Sequence, residues 1–198
     1  MPKTPVAPLE IYQIKVTLRD SKPSIWRRIL VSSNANLGTL HQILQTIMEW
    51  SDYHLHAFTV GKTTYSDPAF EMDASDEKRT KLNQIVTGPK FKFIYEYDFG
   101  DSWRLELVVE KVLPFDRDQP LPRVIAAERA SPLEDSGGVG GYARLVEILK
   151  NPEHQEYTDM VDWILGYEEP EEEFQFDAEA YDLDTINKQL RSFRQSSN

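Results

Sequence analysis

Residues 91–109 read FKFIYEYDFGDSWRLELVV. Phe91, Phe93, Tyr95, Tyr97 and Phe99 occupy every second position, and after Gly100-Asp101-Ser102 the alternation resumes at Trp103, Leu105, Leu107 and Val109. A period of two is that of a strand whose alternate side chains share one face. The stretch therefore predicts a hairpin with one strongly aromatic face, turning at 100–102. Asp98 is expected to cap the turn, and Gly100 to supply a positive φ. Aromatic side chains bury large areas, so this pair is expected at the centre of a sheet, with Trp103 in the core.

Other strands gather around it. Tyr12, Ile14, Val16 and Leu18 alternate with polar residues, predicting a strand over about 9–19. The turn Ser21-Lys22-Pro23-Ser24 leads into Ile25–Val31, a second strand paired to the first. Thr39 and Gln42 have capping-box spacing, and Leu37, Leu40, Leu44, Ile47 and Met48 recur at helical spacing, which predicts a helix over roughly 40–50. His54–Val60, Gly61-Lys62 and Thr63–Tyr65 read as another hairpin, followed by a charged loop over 66–81. Arg123–Ala130 reads as a short strand or an extended loop. Helical spacing returns at Tyr142, Leu145, Val146 and Leu149, then after Asn151-Pro152 as the start of a helix carrying Tyr157, Met160, Val161, Ile164 and Leu165. A last helix carries Leu183, Ile186, Leu190 and Phe193, and the glutamates of 168–173 read as a solvated connector.

The expected fold class is α+β: an antiparallel-rich sheet of hairpins, helices packed mainly on one face, and a helical C-terminal region. One domain over 1–198 is expected, sheet-rich with one helix over about 9–130 and helical over about 139–193.

Composition narrows the chemistry. The 198 residues contain no cysteine, which excludes disulfides, thiolate catalysis and Cys-ligated metal centres. With a mean hydropathy of -0.53 and no long apolar stretch, no membrane span is expected. The N-terminal residues lack the apolar run of a secretory signal, so the expected location is cytoplasmic. The net charge is -11, and it is uneven. Residues 1–99 hold 12 Lys/Arg against 11 Asp/Glu, whereas residues 100–198 hold 10 against 22. Such acidity repels a phosphate backbone, so the expected partner is a protein rather than a nucleic acid.

Several residue groups invite a functional reading. His54 and His56 stand two apart on a predicted strand and can share a face, as two metal ligands or as structural imidazoles. A third ligand would have to come from a distant segment such as Asp98, Asp101 or Glu134. Asp98-Phe99-Gly100 spells the magnesium-binding tripeptide of protein kinases, but the other kinase motifs are missing and the turn reading stands. Ser136-Gly137-Gly138-Val139-Gly140-Gly141 runs into a helix at Tyr142 and can cradle an anion. No lysine accompanies it, and Glu134 and Asp135 oppose phosphate, so a tight, backbone-packed turn is favoured. Arg27 and Arg28, as strand neighbours, point to opposite faces and cannot both join one nucleic-acid patch with Arg19 and Lys22.

Ile25-Trp26-Arg27-Arg28, Leu40-His41, Trp50 with His54-Leu55-His56-Ala57-Phe58, Tyr97 through Trp103, and Pro132 through Gly138 to Gly141-Tyr142, in this order, resemble the plasmid pRiA4b ORF-3-like family over roughly residues 9–193. The resemblance implies an association with mobile elements but no specific chemistry. Many relatives carry cysteines where this chain has Ser131 and Ser136, and a histidine in place of Leu105, a constellation suited to zinc in those relatives. Here those ligands are replaced, so no zinc, metal or cofactor is expected.

Three functional readings follow. The favoured one is a non-catalytic interaction or regulatory module with residues Gly137, Gly138, Gly140, Gly141 and Tyr142 as a recognition loop. The second is an enzyme whose site gathers His54, His56, Asp98, Asp101, Glu134 and Asp135. The third is a DNA-binding accessory protein of a mobile element.

Overall fold

A computed structural model describes residues 9–166 and 174–192. The aromatic stretch forms β6 (Lys92–Tyr97) and β7 (Trp103–Pro114), paired antiparallel with Tyr97 opposite Trp103. These occupy the middle of an eight-stranded sheet of order β5-β4-β3-β6-β7-β1-β2-β8, in which β1 (Glu10–Leu18) and β2 (Trp26–Ser32) form the expected hairpin. On the other side stand β3 (His56–Val60) and β4 (Thr63–Ser66). Arg123–Glu128 is a strand, β8, antiparallel to β2. The two-residue β5 (Ser75–Asp76) pairs parallel with β4, inside the segment read as loop. The same segment also folds into 3-10 turns at Pro68–Phe70 and Glu77–Arg79, each opened by an aspartate side chain that accepts a backbone N–H.

One face of this sheet is covered by helices. Tyr12, Ile14, Val16, Phe93, Tyr95, Tyr97, Trp103, Leu105 and Leu107 pack in one cluster with Leu40, Ile43 and Leu44 of α1 (Leu37–Ile47), Leu82 of α2 (Leu82–Ile85), Tyr142 of α3 (Gly138–Leu149), and Ile186 and Leu190 of α5 (Leu183–Ser192). Burying each large apolar side chain contributes roughly 1.5–3 kcal/mol, which makes this single-sided layer the main source of stability. The opposite face carries polar pairs such as Arg28 with Glu110 at 2.6 Å, above a small cluster of Ile11, Leu30 and Leu121. α4 (Tyr157–Leu165) lies against α3.

Local chemistry moved several boundaries. α1 starts at Leu37 because the Asn36 side chain, rather than that of Thr39, caps it, accepting from Thr39 N–H at 2.7 Å. Asn151 caps a turn instead of a helix: its side chain accepts from Glu153 N–H and its carbonyl from His154 N–H, so α4 begins only at Tyr157. In the β6–β7 turn, the Asp98 side chain accepts from Gly100 N–H at 3.0 Å, as expected of a turn cap. The positive φ values fall on Asp98 and Ser102 rather than on Gly100. This early reversal turns Phe99 out of the aromatic face and leaves it 43% exposed. The glutamates of 168–173 and Phe193 lie outside the described residues.

Two polar side chains fix the C-terminal part to the sheet. Arg27 is fully buried and donates to the carbonyls of Ile47 at the end of α1, Trp26 and Glu128, and to Ser131 Oγ. Arg28, its neighbour, faces the other side, as strand geometry requires. The amide of Asn187 in α5 donates to the Val124 carbonyl at 3.0 Å and accepts from its N–H at 2.8 Å, taking the place of a further strand beside β8.

Candidate functional site

Three loops meet at one end of the central hairpin: residues 51–55 between α1 and β3, the β6–β7 turn at 98–102, and residues 132–138 ahead of α3. The last strand residue before the turn, Tyr97, is the hub. Its hydroxyl donates to Glu134 at 2.6 Å and accepts from Tyr53 N–H at 3.0 Å. Burial, and then the adjacent Glu134 carboxylate, push the Tyr97 phenol well above its usual range, so it holds its proton on the Glu134 side. The second carboxylate oxygen of Glu134 accepts from Ser51 N–H at 2.7 Å. Trp50 stacks on Tyr97 with centroids 5.0 Å apart and donates its indole N–H to the Pro132 carbonyl.

The glycines let backbone meet backbone here. Asp101 accepts from Gly137 N–H at 3.0 Å. A Cβ on Gly138, which has φ of 68°, would lie 2.5 Å from the Asp101 carbonyl oxygen, and a Cβ on Gly141 would lie 1.8 Å from that of Ser136. Only glycine permits such approaches. The helix begins at Gly138, four residues before Tyr142, so Gly138, Gly140 and Gly141 belong to α3 itself. The Tyr142 phenol is mostly buried, and that burial pushes its pKa up to about 12.

The two histidines part company. The strand begins only at His56, so the period of two does not extend back to His54. His54 Nε2 lies 3.2 Å from Asp135 and 3.9 Å from Asp98, with its ring edge against Tyr97. His56 Nε2 instead lies 2.8 Å from Glu77, both groups being buried. Of the six residues grouped from sequence, His54, Asp98 and Asp135 converge directly. Glu134 joins them through Tyr97, Asp101 ties the turn to Gly137, and His56 stands in an adjoining cleft.

Sequence reading missed Tyr97 as a polar connector, since it assigned the aromatic side chains of the hairpin to the core alone, and it named Trp50 only within the family resemblance. It also missed the rim. Tyr53 is 87% exposed, Leu55 is 45% exposed, and Phe99 projects from the turn whose Asp98 N–H donates to the Leu55 carbonyl. No periodic signal marks a residue in an irregular loop as exposed. His41 entered only through the family resemblance and was given no role, although His41 and Gln45, four apart on α1, both reach the Tyr95 hydroxyl at 2.8 Å.

Comparison with known proteins gives this arrangement a context. An uncharacterised protein, y4hQ, of Sinorhizobium fredii is 32% identical over 157 residues, covering 77% of this chain and 80% of that protein. A crystal structure of a protein of unknown function, MM3350 from Methanosarcina mazei Go1, superposes with a TM-score of 0.78 at 35% identity, covering 90% of this chain and 98% of that one. The family described as plasmid pRiA4b ORF-3-like protein matches residues 10–185, a span that takes in the whole sheet and all three loops of the site. The chain belongs to the plasmid pRiA4b ORF-3-like family.

Proposed function

We propose that this protein is a non-catalytic recognition module that binds a partner protein through the corner formed by loops 51–55, 98–102 and 132–138. The observation that carries this reading is the exposure of Tyr53, Leu55 and Phe99 on a frame cross-linked by Tyr97, Glu134 and Asp101. Aromatic side chains on a preorganised surface are typical anchors of interfaces, because little ordering is left to lose on binding. Asp98 and Asp135 stand beside them, so the partner segment matching this surface combines an apolar residue with a basic one. The same carboxylates oppose a phosphate backbone. Glu134 and Asp101 already accept backbone or phenol hydrogen bonds, which favours a binding corner over a set of free acid–base groups.

The double variant Tyr53→Ser/Phe99→Ser tests the reading. Both side chains are exposed, so the variant is expected to unfold like the wild type. Proteins retained from the native host by the wild type and by Ile125→Ser, a substitution at another exposed apolar position, are expected to be lost from the double variant. An identical retained set for all three proteins overturns the proposal.

A further inference from the structure

Beside this corner, and sharing the 51–55 loop with it, a cleft of about 470 Å³ opens between α1, β3 and the 67–78 segment. Its floor holds two buried histidines, His41 and His56, whose rings stack with centroids 3.6 Å apart and planes at 8°. Each ring has one nitrogen engaged by a buried partner: His41 Nδ1 lies 2.8 Å from the Tyr95 hydroxyl, and His56 Nε2 lies 2.8 Å from Glu77. His41 Nε2 lies 3.0 Å from Asp52. The remaining nitrogen, His56 Nδ1, is buried without any hydrogen-bond partner.

That orphan atom needs an explanation, because a buried polar group left unpaired costs about 1–3 kcal/mol. A proton on His56 Nε2, donated to Glu77, leaves Nδ1 as a bare lone pair. Ligand atoms of His41, Asp52 and His56 all lie within 4.8 Å of one another. We propose that His41, His56 and Asp52 form a binding site for a divalent transition-metal ion, with Glu77 and Tyr95 orienting the two imidazoles.

The donor set fits the chemistry. Two imidazoles and one carboxylate suit zinc and its first-row neighbours, and need no thiolate. Metal-bound histidines characteristically donate their second N–H to a carboxylate or another oxygen, the role that Glu77 and the Tyr95 hydroxyl can fill here. Asp52, Asp67 and Glu77 line the cleft against one ammonium, Lys78, so the balance of charge favours a cation. Asp52 is about half exposed, which gives an ion a route in from solvent. Because imidazole lone pairs lie in the ring planes, binding would tilt the rings out of their stack. The site uses none of positions 105, 131 and 136, whose residues carried the sequence argument against zinc.

Protein stripped with a chelator is titrated with zinc chloride by calorimetry and with cobalt chloride by visible absorption. One ion per chain is expected for each metal. His41→Gln and Asp52→Asn are each expected to weaken binding about tenfold or more, while His54→Ala leaves it unchanged. Asparagine is chosen at 52 because it tolerates the φ of 60° there, and circular dichroism verifies that each variant is folded. Failure of the wild type to bind either ion saturably overturns the proposal. So does unchanged affinity in a folded Asp52→Asn variant, or loss confined to His54→Ala, which would place the ion with His54, Asp98 and Asp135.

Discussion

The guanidinium of Arg27 lies 3.8 Å above the ring centroid of Tyr181, and the Tyr181 hydroxyl donates to the same Ile47 carbonyl that Arg27 holds. Burial lowers the Arg27 pKa from its ordinary value, with Tyr181 and Glu49 opposing that shift. Neutral acceptors and one aromatic face take the place of a bonded carboxylate. This suits the planar, forked donor set of arginine and not the compact charge of lysine. Arg27→Lys leaves at least one buried acceptor without a donor and is expected to lose about 2–3 kcal/mol. Tyr181→Phe, which keeps the ring and removes one hydrogen bond, is expected to lose about 1 kcal/mol. Urea titration measures both, and an Arg27→Lys variant as stable as the wild type would contradict this account.

The glycine run ahead of and within α3 gives a paired test. Nothing lies within 4 Å of a Cβ built on Gly140, whereas Gly141 is closed off by the Ser136 carbonyl. Gly140→Ala is therefore expected to stabilise by roughly 0.5–1 kcal/mol, the usual gain for alanine in a helix. Gly141→Ala forces the backbone apart and is expected to cost about 1–3 kcal/mol or more. Equal thermal midpoints for the two variants would mean that the 132–138 loop is not packed on the helix start as described.

Trp103 lies fully buried at the start of β7, opposite Tyr97 and near Trp50. Trp103→Ala is expected to cost ~3–5 kcal/mol. Against a total of roughly 5–15 kcal/mol, that sharply lowers the urea midpoint or the soluble yield. A loss below about 1 kcal/mol, well short of a core truncation, would refute the inner-face placement.

Acid sensitivity follows from His41. Burial, and then the neighbouring His56, hold its imidazole below the ordinary 6.5, with Asp52 and Glu77 acting in the opposite direction. As pH falls through about 6.5, the unfolded chain takes up a proton that the folded chain refuses. This contribution to stability is therefore intact above that value, and it is lost progressively on acidification until folded His41 titrates. In the presence of a chelator, wild-type protein is expected to lose stability between about pH 7.5 and 5.5, and His41→Gln to lose less over the same range. Parallel profiles for the two proteins would assign the acid sensitivity to other groups.

Legibility in the sequence tracked the range of the interaction. Tyr12 to Leu18 and Phe91 to Val109 declare their strands within a few residues, and the central place of the hairpin follows from its apolar area. Asn36 outcompetes Thr39 as a cap because of where the chain enters α1, which spacing alone does not specify. The site was half visible: His54, Asp98 and Asp135 are polar residues near turns, and they do meet. Glu77 lay hidden in a charged stretch without periodicity, yet it is among the most buried carboxylates, because its imidazole partner arrives from β3. Strand geometry put Arg27 and Arg28 on opposite faces without marking Arg27 as the buried one, since three of its four acceptors lie 20 to more than 100 residues away and leave no local pattern.

The bracket that Asn187 makes on Val124 reaches beyond stability. A sheet of this width ends in an outer strand, β8, whose unpaired backbone would invite a strand from another molecule. One amide, presenting a donor and an acceptor at the spacing of a peptide group, already answers Val124, near the start of that strand. At the other margin, β5 is only two residues long, too short to seed a ladder. Growth of the sheet into fibrils by strand addition at β8 would first require α5 to let go, so the integrity of this one helix guards the chain against self-templated polymerisation.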